Sequence, residues 1–233
     1  MCREFRRLRR ICFAHAGRYL RPISNASVPS SRDVEMSRIV QRFTAIVQRF
    51  TAYVHSDDPL VAASNIVALV VAFNQPCYPL YIRWFVGDDH GASLVTFFST
   101  PLFLAVPAVA RRSSLAGRTL LPVVGILNTL TSTLAFGAAS GVELFLCPCV
   151  MIAGMSLRQN ERATMLVIVG LALAVFGLLD GKTVAASTLF SSSEYASLLS
   201  LNAWSVATLT AFVALRYPSA ITESAPTTRY SGR

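Results

Sequence analysis

The chain has 233 residues, 53% of them hydrophobic and only 14% charged, with a mean hydropathy of +0.51. Soluble domains carry about a quarter charged residues, so this sequence is short of groups that favour water. Its net charge of +9 is concentrated at the front, where eleven of the 21 Lys and Arg precede Pro59; a nucleic-acid surface would spread that charge over a fold with interleaved aromatics, so no nucleic-acid partner is expected and membrane topology is the better account.

Five cysteines, Cys2, Cys12, Cys77, Cys147 and Cys149, suggest no disulfide framework, because two lie in the basic front and three in apolar runs. The three histidines all fall outside the apolar runs, which argues against a bis-histidine haem in a bilayer, and no cofactor is expected. The stretch from Ile11 to Leu20 follows basic residues but is broken by His15 and Arg18, so it lacks the apolar region of a signal peptide.

Residues 1–35 are Arg-rich and then Ser/Pro-rich, with no core pattern. They fit a disordered basic tail held at an anionic leaflet, a transit-type presequence, or a start codon placed too early, since Met36 opens a patterned segment. That segment, residues 36–58, contains the tandem heptads VQRFTAI (Val40–Ile46) and VQRFTAY (Val47–Tyr53). Val40, Phe43, Val47, Phe50 and Val54 recur at spacings of three and four, which places them on one helical face. Two heptads are too few for a coiled coil. The face suits either an amphipathic helix lying on the cytoplasmic leaflet or the seam of a homodimer.

Asp57-Asp58-Pro59 marks a boundary, with Asp58 as N-cap and Pro59 in the first turn of the next helix. Six apolar segments follow: about Leu60–Ile82, Ala92–Ala110, Thr119–Phe136, Val142–Leu157, Ala163–Leu179 and Tyr195–Tyr217. A crossing helix needs about 20 residues, so the fourth and fifth are short. Helices satisfy their own backbone in lipid, and the alternation of an outer-membrane barrel is absent. The expected fold is therefore all-α, a six-helix transmembrane bundle over residues 59–217, followed by a cytoplasmic tail over 218–233. Counting loops alternately, 19 of the 21 basic residues fall on one side and only Arg83 and Lys182 on the other. The positive-inside rule makes the first side cytoplasmic, with both termini there, in a bacterial inner membrane.

Three features can carry chemistry. Asn74-Gln75-Pro76-Cys77-Tyr78-Pro79 breaks the first helix, because each proline removes a donor and crowds the preceding turn. Asn74 and Gln75 either bond the freed carbonyls and neighbouring helices or line a small-ligand cavity with Pro76. Glu143 begins the fourth helix, where the dipole favours an anion. It is either a simple cap or, with Asp88, Asp89 and His90 of another outer loop, part of a ligand or cation site. Cys147-Pro148-Cys149 presents either a kinked helix with two apolar-behaving thiols or a pair of soft-metal ligands. Phosphate-binding loops, zinc patterns and nucleophile elbows are missing from the sequence, so the chain reads as something other than an enzyme.

The phrases AFNQPCYPLYIRW (Ala72–Trp84), FFSTPLFLAVPAVARRSSLAGRTLLP (Phe97–Pro122) and GAASGVELFLCPC (Gly137–Cys149) resemble the membrane-sensor halves of bacterial signalling proteins, including membrane-bound nucleotide cyclases. The Ser-Gly-Val-Glu-Leu-Phe segment carries most of the likeness. The resemblance implies about six helices ahead of a cytoplasmic output domain. Only Arg216–Arg233 follow the last apolar segment here, too few for a catalytic domain. The implied role is a signal-input module working through a separate cytoplasmic signalling protein, or a truncated gene. A small transporter or transporter subunit, and a structural membrane subunit, are the competing expectations.

Overall fold

The computed structural model describes residues 31–87, 91–179 and 189–224. The chain divides into two units, Met1–Arg49 and Phe50–Arg233. Helix α1 (Ser31–Val54) contains both heptads and runs across that division. Val40 and Phe50 on its apolar face are exposed, whereas the side chains of Phe43 and Val47 lie outside the described residues.

The second unit begins with the last turn of α1 and continues into the apolar body. The Asp58 carboxylate accepts the Leu60 N–H at 3.0 Å and caps α2 (Pro59–Asn74), with Pro59 in its first turn. Pro76 and Pro79 then force a 3₁₀ turn at Gln75–Cys77 before α3 (Tyr78–Phe85) resumes the path. The break bends the helix without ending it, so Pro59–Phe85 is one apolar span of 27 residues.

A 3₁₀ stretch, Ala92–Phe98, leads into α4 (Thr100–Arg112), and a single residue, Ser113, separates it from α5 (Ser114–Phe136). The start of α5 lies five residues ahead of the expected Thr119, because the Ser113 hydroxyl accepts the Ala116 N–H at 3.3 Å and caps the helix there. 3₁₀ turns at Ala138–Ser140 and Val142–Phe145 precede α6 (Leu146–Ser156). A further 3₁₀ turn, Gln159–Glu161, precedes α7 (Arg162–Leu179). The last helix, α8 (Ser192–Ser224), continues through Pro218 and past the expected limit at Tyr217. The described residues are all-helical and contain no strand.

By length and composition, five helices suit a membrane crossing: Pro59–Phe85, Ala92–Arg112, Ser114–Phe136, Gln159–Leu179 and Ser192–Ala220. The remaining apolar segment, Val142–Ser156, is shorter. The six expected segments thus correspond to five of crossing length and one short helix.

Packing is consistent with an apolar surrounding. One core joins Val67 of α2, Val106 of α4, Leu121 of α5 and Val213 of α8. A second joins Ile126, Cys149 and Ile168 of α5, α6 and α7. A third joins Ile82, Phe136 and Leu198. The α4–α5 crossing is backbone-close, since a Cβ on Gly117 would lie 2.4 Å from the Ala110 Cβ; small residues permit such approach between membrane helices. Outside these cores the pattern inverts. The α7 span is the most apolar of the five, yet only 22% of it is buried. Leu166, Val167, Leu173, Phe176 and Leu178 face outward. Trp84 and Phe85 lie exposed and stacked at the end of α3, as aromatics do at a membrane interface.

Hydrogen bonds sort the segment ends into two groups. One group joins Asp58, Ser114, Arg118, Arg158 and Glu161, from the start of α2, the start of α5 and the α6–α7 turn. The other joins Tyr78, Ser140, Asn202, Phe136 and Tyr195, from α3, the α5–α6 connection and α8. Successive apolar segments therefore run in alternating directions between the two ends.

Candidate functional site

A cavity of about 840 Å³ lies among α2, α3, α5, α6, α8 and the final turn of α1. Its wall toward the Asp58 end is apolar, with Phe50, Val54, Leu121, Ile152 and Phe212. Toward the opposite end the wall adds Asn74, Gln75, Tyr78, Asn128, Thr129 and Ser132. Among the described residues, no Asp, Glu, Lys, Arg or His lines it. Concave, mostly apolar space with a few placed polar groups is the usual form of a small-molecule site.

The helix break builds the polar part. Gln75 is buried, and its Nε2 donates to Ser99 Oγ at 2.7 Å and to Asn128 Oδ1 at 3.3 Å. Its Oε1 accepts the Thr100 hydroxyl at 2.5 Å. Ser99 Oγ also lies 2.6 Å from Asn128 Oδ1 and 3.0 Å from the Thr96 carbonyl. Such side-chain bonds between membrane helices contribute about 0.6–2 kcal/mol each. Gln75 thus binds neighbouring helices and also lines the cavity. Asn74 is exposed and lines the cavity as well; Pro76 is exposed and is not part of the wall.

The network leaves donors unused. Asn128 Oδ1 accepts two bonds while its amide N–H₂ group has no hydrogen-bond partner among the described residues. Ser132 is 2% exposed, and its hydroxyl has no hydrogen-bond partner. A helical hydroxyl often bonds the carbonyl four residues back, as Thr129 and Thr131 do to Gly125 and Leu127, but Ser132 does not. A buried hydroxyl without a partner costs about 1–3 kcal/mol.

Asp88, Asp89 and His90 lie outside the described residues. Glu143 is half-buried in the Val142–Phe145 turn, with Oε2 enclosed and without a partner, and is not part of the cavity wall. Cys147 is exposed, whereas Cys149 is buried, with its sulfur where a Cβ on Gly125 would come within 2.6 Å. Among the described residues, no group of three His, Cys, Asp or Glu is placed to hold a metal ion. On α1, Phe50 and Val54 line the cavity, and Phe50 packs against Phe73 in a tilted pair with ring centroids 5.6 Å apart. Tyr53 holds this turn in place: its hydroxyl donates to the Leu104 carbonyl at 2.6 Å, and the Arg111 guanidinium lies 4.9 Å from its ring.

The basic end carries a polar ring that was hidden in the sequence. Arg118 is 1% exposed and forms a two-pronged pair with Glu161, both N···O distances being 2.7 Å. It also donates to the Ser156 carbonyl at 2.6 Å and to Ser114 Oγ at 3.2 Å. Ser114 donates in turn to Asp58 Oδ2 at 2.9 Å, which also receives Arg158 at 2.9 Å. Glu161 closes the ring by accepting the Arg158 backbone N–H at 2.7 Å. Burial opposes the Asp58 charge, but the Ser114 hydroxyl, Arg158 and the Leu60 and Val61 amides outweigh it and hold the carboxyl below its ordinary 3.8. A depressed folded pKa contributes stability that is complete above the ordinary value and lost as pH falls through the folded one. The difference in thermal stability between the native chain and Asp58→Asn is therefore expected to be largest at neutral pH and to close on acidification, as followed by unfolding in detergent from pH 7 to 3.

Comparison with protein-family models, with characterised proteins and with solved structures returns no match for this chain.

Proposed function

We propose that the chain is a six-pass protein of a bacterial cytoplasmic membrane, with its basic end cytoplasmic, that serves as a sensor-like input module. In this reading a small molecule occupies the cavity, and its presence is passed through α1 to a second copy of the chain or to a cytoplasmic signalling protein. One observation carries the proposal: the cavity wall includes Phe50 and Val54, the last apolar residues of the heptad face that begins at Val40. Occupancy there bears on the helix that also carries the exposed Val40. The alternating segments support six crossings, and the partition of basic residues supports the orientation.

The broken helix beside a cavity also fits a small transporter, whose substrate sites use interrupted helices. A nitroxide placed at Val40→Cys, with the native cysteines replaced, distinguishes the two in reconstituted protein. Filling the cavity by Ser205→Phe is expected to change the label's mobility or its distance between copies, while proteoliposomes take up solutes only at background. A label indifferent to filling, or an uptake that filling abolishes, overturns the sensor reading.

A further inference from the structure

The geometry points to a ligand class for this cavity: a neutral, mainly apolar molecule carrying one carbonyl-type hydrogen-bond acceptor. The inference rests on the reading of the cavity as a ligand site and adds what that site selects. Three features decide it.

Charge comes first. With no ionisable Asp, Glu, Lys, Arg or His in the described wall, a carboxylate or ammonium head would be desolvated with no counter-ion, which is strongly unfavourable. The second feature is the sense of the unused bonds. Asn128 Oδ1 already accepts from Gln75 and Ser99, so what the Asn128 side chain still offers is its N–H₂. Ser132, one helical turn further along, also lines the space, but its hydroxyl oxygen is sealed from it. The free Asn128 N–H₂ matches an acceptor oxygen. The third is the asymmetry of the wall. From Asn128 toward Phe50 and Phe212 the lining is mainly apolar, and the Ser205 and Thr208 hydroxyls there are already bonded to the Leu201 and Trp204 carbonyls, which suits a hydrocarbon tail pointing to the basic end. The volume of about 840 Å³ lies in the range of small-molecule sites, roughly 300–1,000 Å³.

The test uses a long-chain fatty acid methyl ester bearing a diazirine and an alkyne in its chain, with the free fatty acid as the charged control. Both are photolysed with the full-length protein in phospholipid nanodiscs at pH 8, and the labelled peptides are mapped. The ester probe is expected to label the α2, α5 and α8 walls saturably, and the carboxylate at least ten-fold less. Ser132→Phe, which fills the cavity, should abolish the labelling. The smaller change Asn128→Leu should weaken it several-fold while leaving the size-exclusion profile unchanged. Equal labelling by the two probes overturns the proposal, as does labelling indifferent to both variants. Labelling competed away by the nanodisc phospholipid, or spread over the outward face of α7, assigns the space to bulk acyl chains and also overturns it. Binding of the ester probe without any response of the Val40 label removes the sensor reading and leaves the site. A Val40 label that responds to filling without ester binding removes the ligand class alone.

Discussion

Arg118→Met is expected to destabilise the protein by about 3–5 kcal/mol, the cost of removing one partner of a buried ion pair. Glu161 has only 12% of its side chain exposed and would keep a carboxylate with its main cation gone. The Ser156 carbonyl would lose its 2.6 Å donor and Ser114 Oγ its link into the ring. The double variant Arg118→Met/Glu161→Gln is expected to recover much of the loss. A neutral amide has no charge to strand, and its oxygen can still accept the Arg158 N–H that Glu161 accepts at 2.7 Å. Thermal unfolding in detergent, read by loss of the monodisperse size-exclusion peak, compares the three proteins. A single variant as stable as the native chain would show that the pair contributes nothing.

Leu173→Arg is expected to prevent stable accumulation in the membrane fraction. Leu173 is 62% exposed in the interior of α7. In water, exchanging an exposed leucine for arginine changes stability by about 0.5 kcal/mol or less. At the centre of a membrane helix the same exchange costs about 3–4 kcal/mol on insertion scales, since the arginine is unfavourable and the leucine favourable. The contrast makes this one substitution a direct measurement of what surrounds α7. Leu173→Ala serves as control and should accumulate normally. Normal levels of Leu173→Arg in a soluble fraction would remove the membrane reading altogether.

The apolar segments could be read from the sequence because a helix in lipid is specified by local composition. Asp58-Pro59 likewise announced the start of α2, and Asn74–Pro79 announced the break. Arg118 shows where that reading stops. In the sequence it counts as one of several basic residues in a short loop. In the structure it is enclosed, because α5 begins at Ser114 and turns Arg118 inward against Glu161, 43 residues later. Only the fold brings those residues together. The same holds for the cavity. Asn128 stands out as a polar residue in an apolar helix, but Ser99, Thr100 and Ser132 look like ordinary small helical residues. Their significance lies in which hydroxyls are already bonded and which are not, and the alignment of three helices decides that.

The shortness of α6 has a consequence for how the protein meets its bilayer. Its 11 residues span about 17 Å, little more than half of a hydrocarbon core of roughly 30 Å. Facing lipid, such a helix would force the membrane to thin around it. Instead, α5, α7 and α8 pack around it, and Leu146, Pro148, Cys149, Ile152, Ala153 and Ser156 are buried. Hydrophobic mismatch therefore falls mainly on the longer helices, with only Cys147 and Gly154 of α6 left exposed. Since Pro148, Cys149 and Ile152 form one wall of the cavity, that wall is insulated from changes in membrane thickness. A site whose shape must stay constant while the bilayer deforms benefits from such insulation.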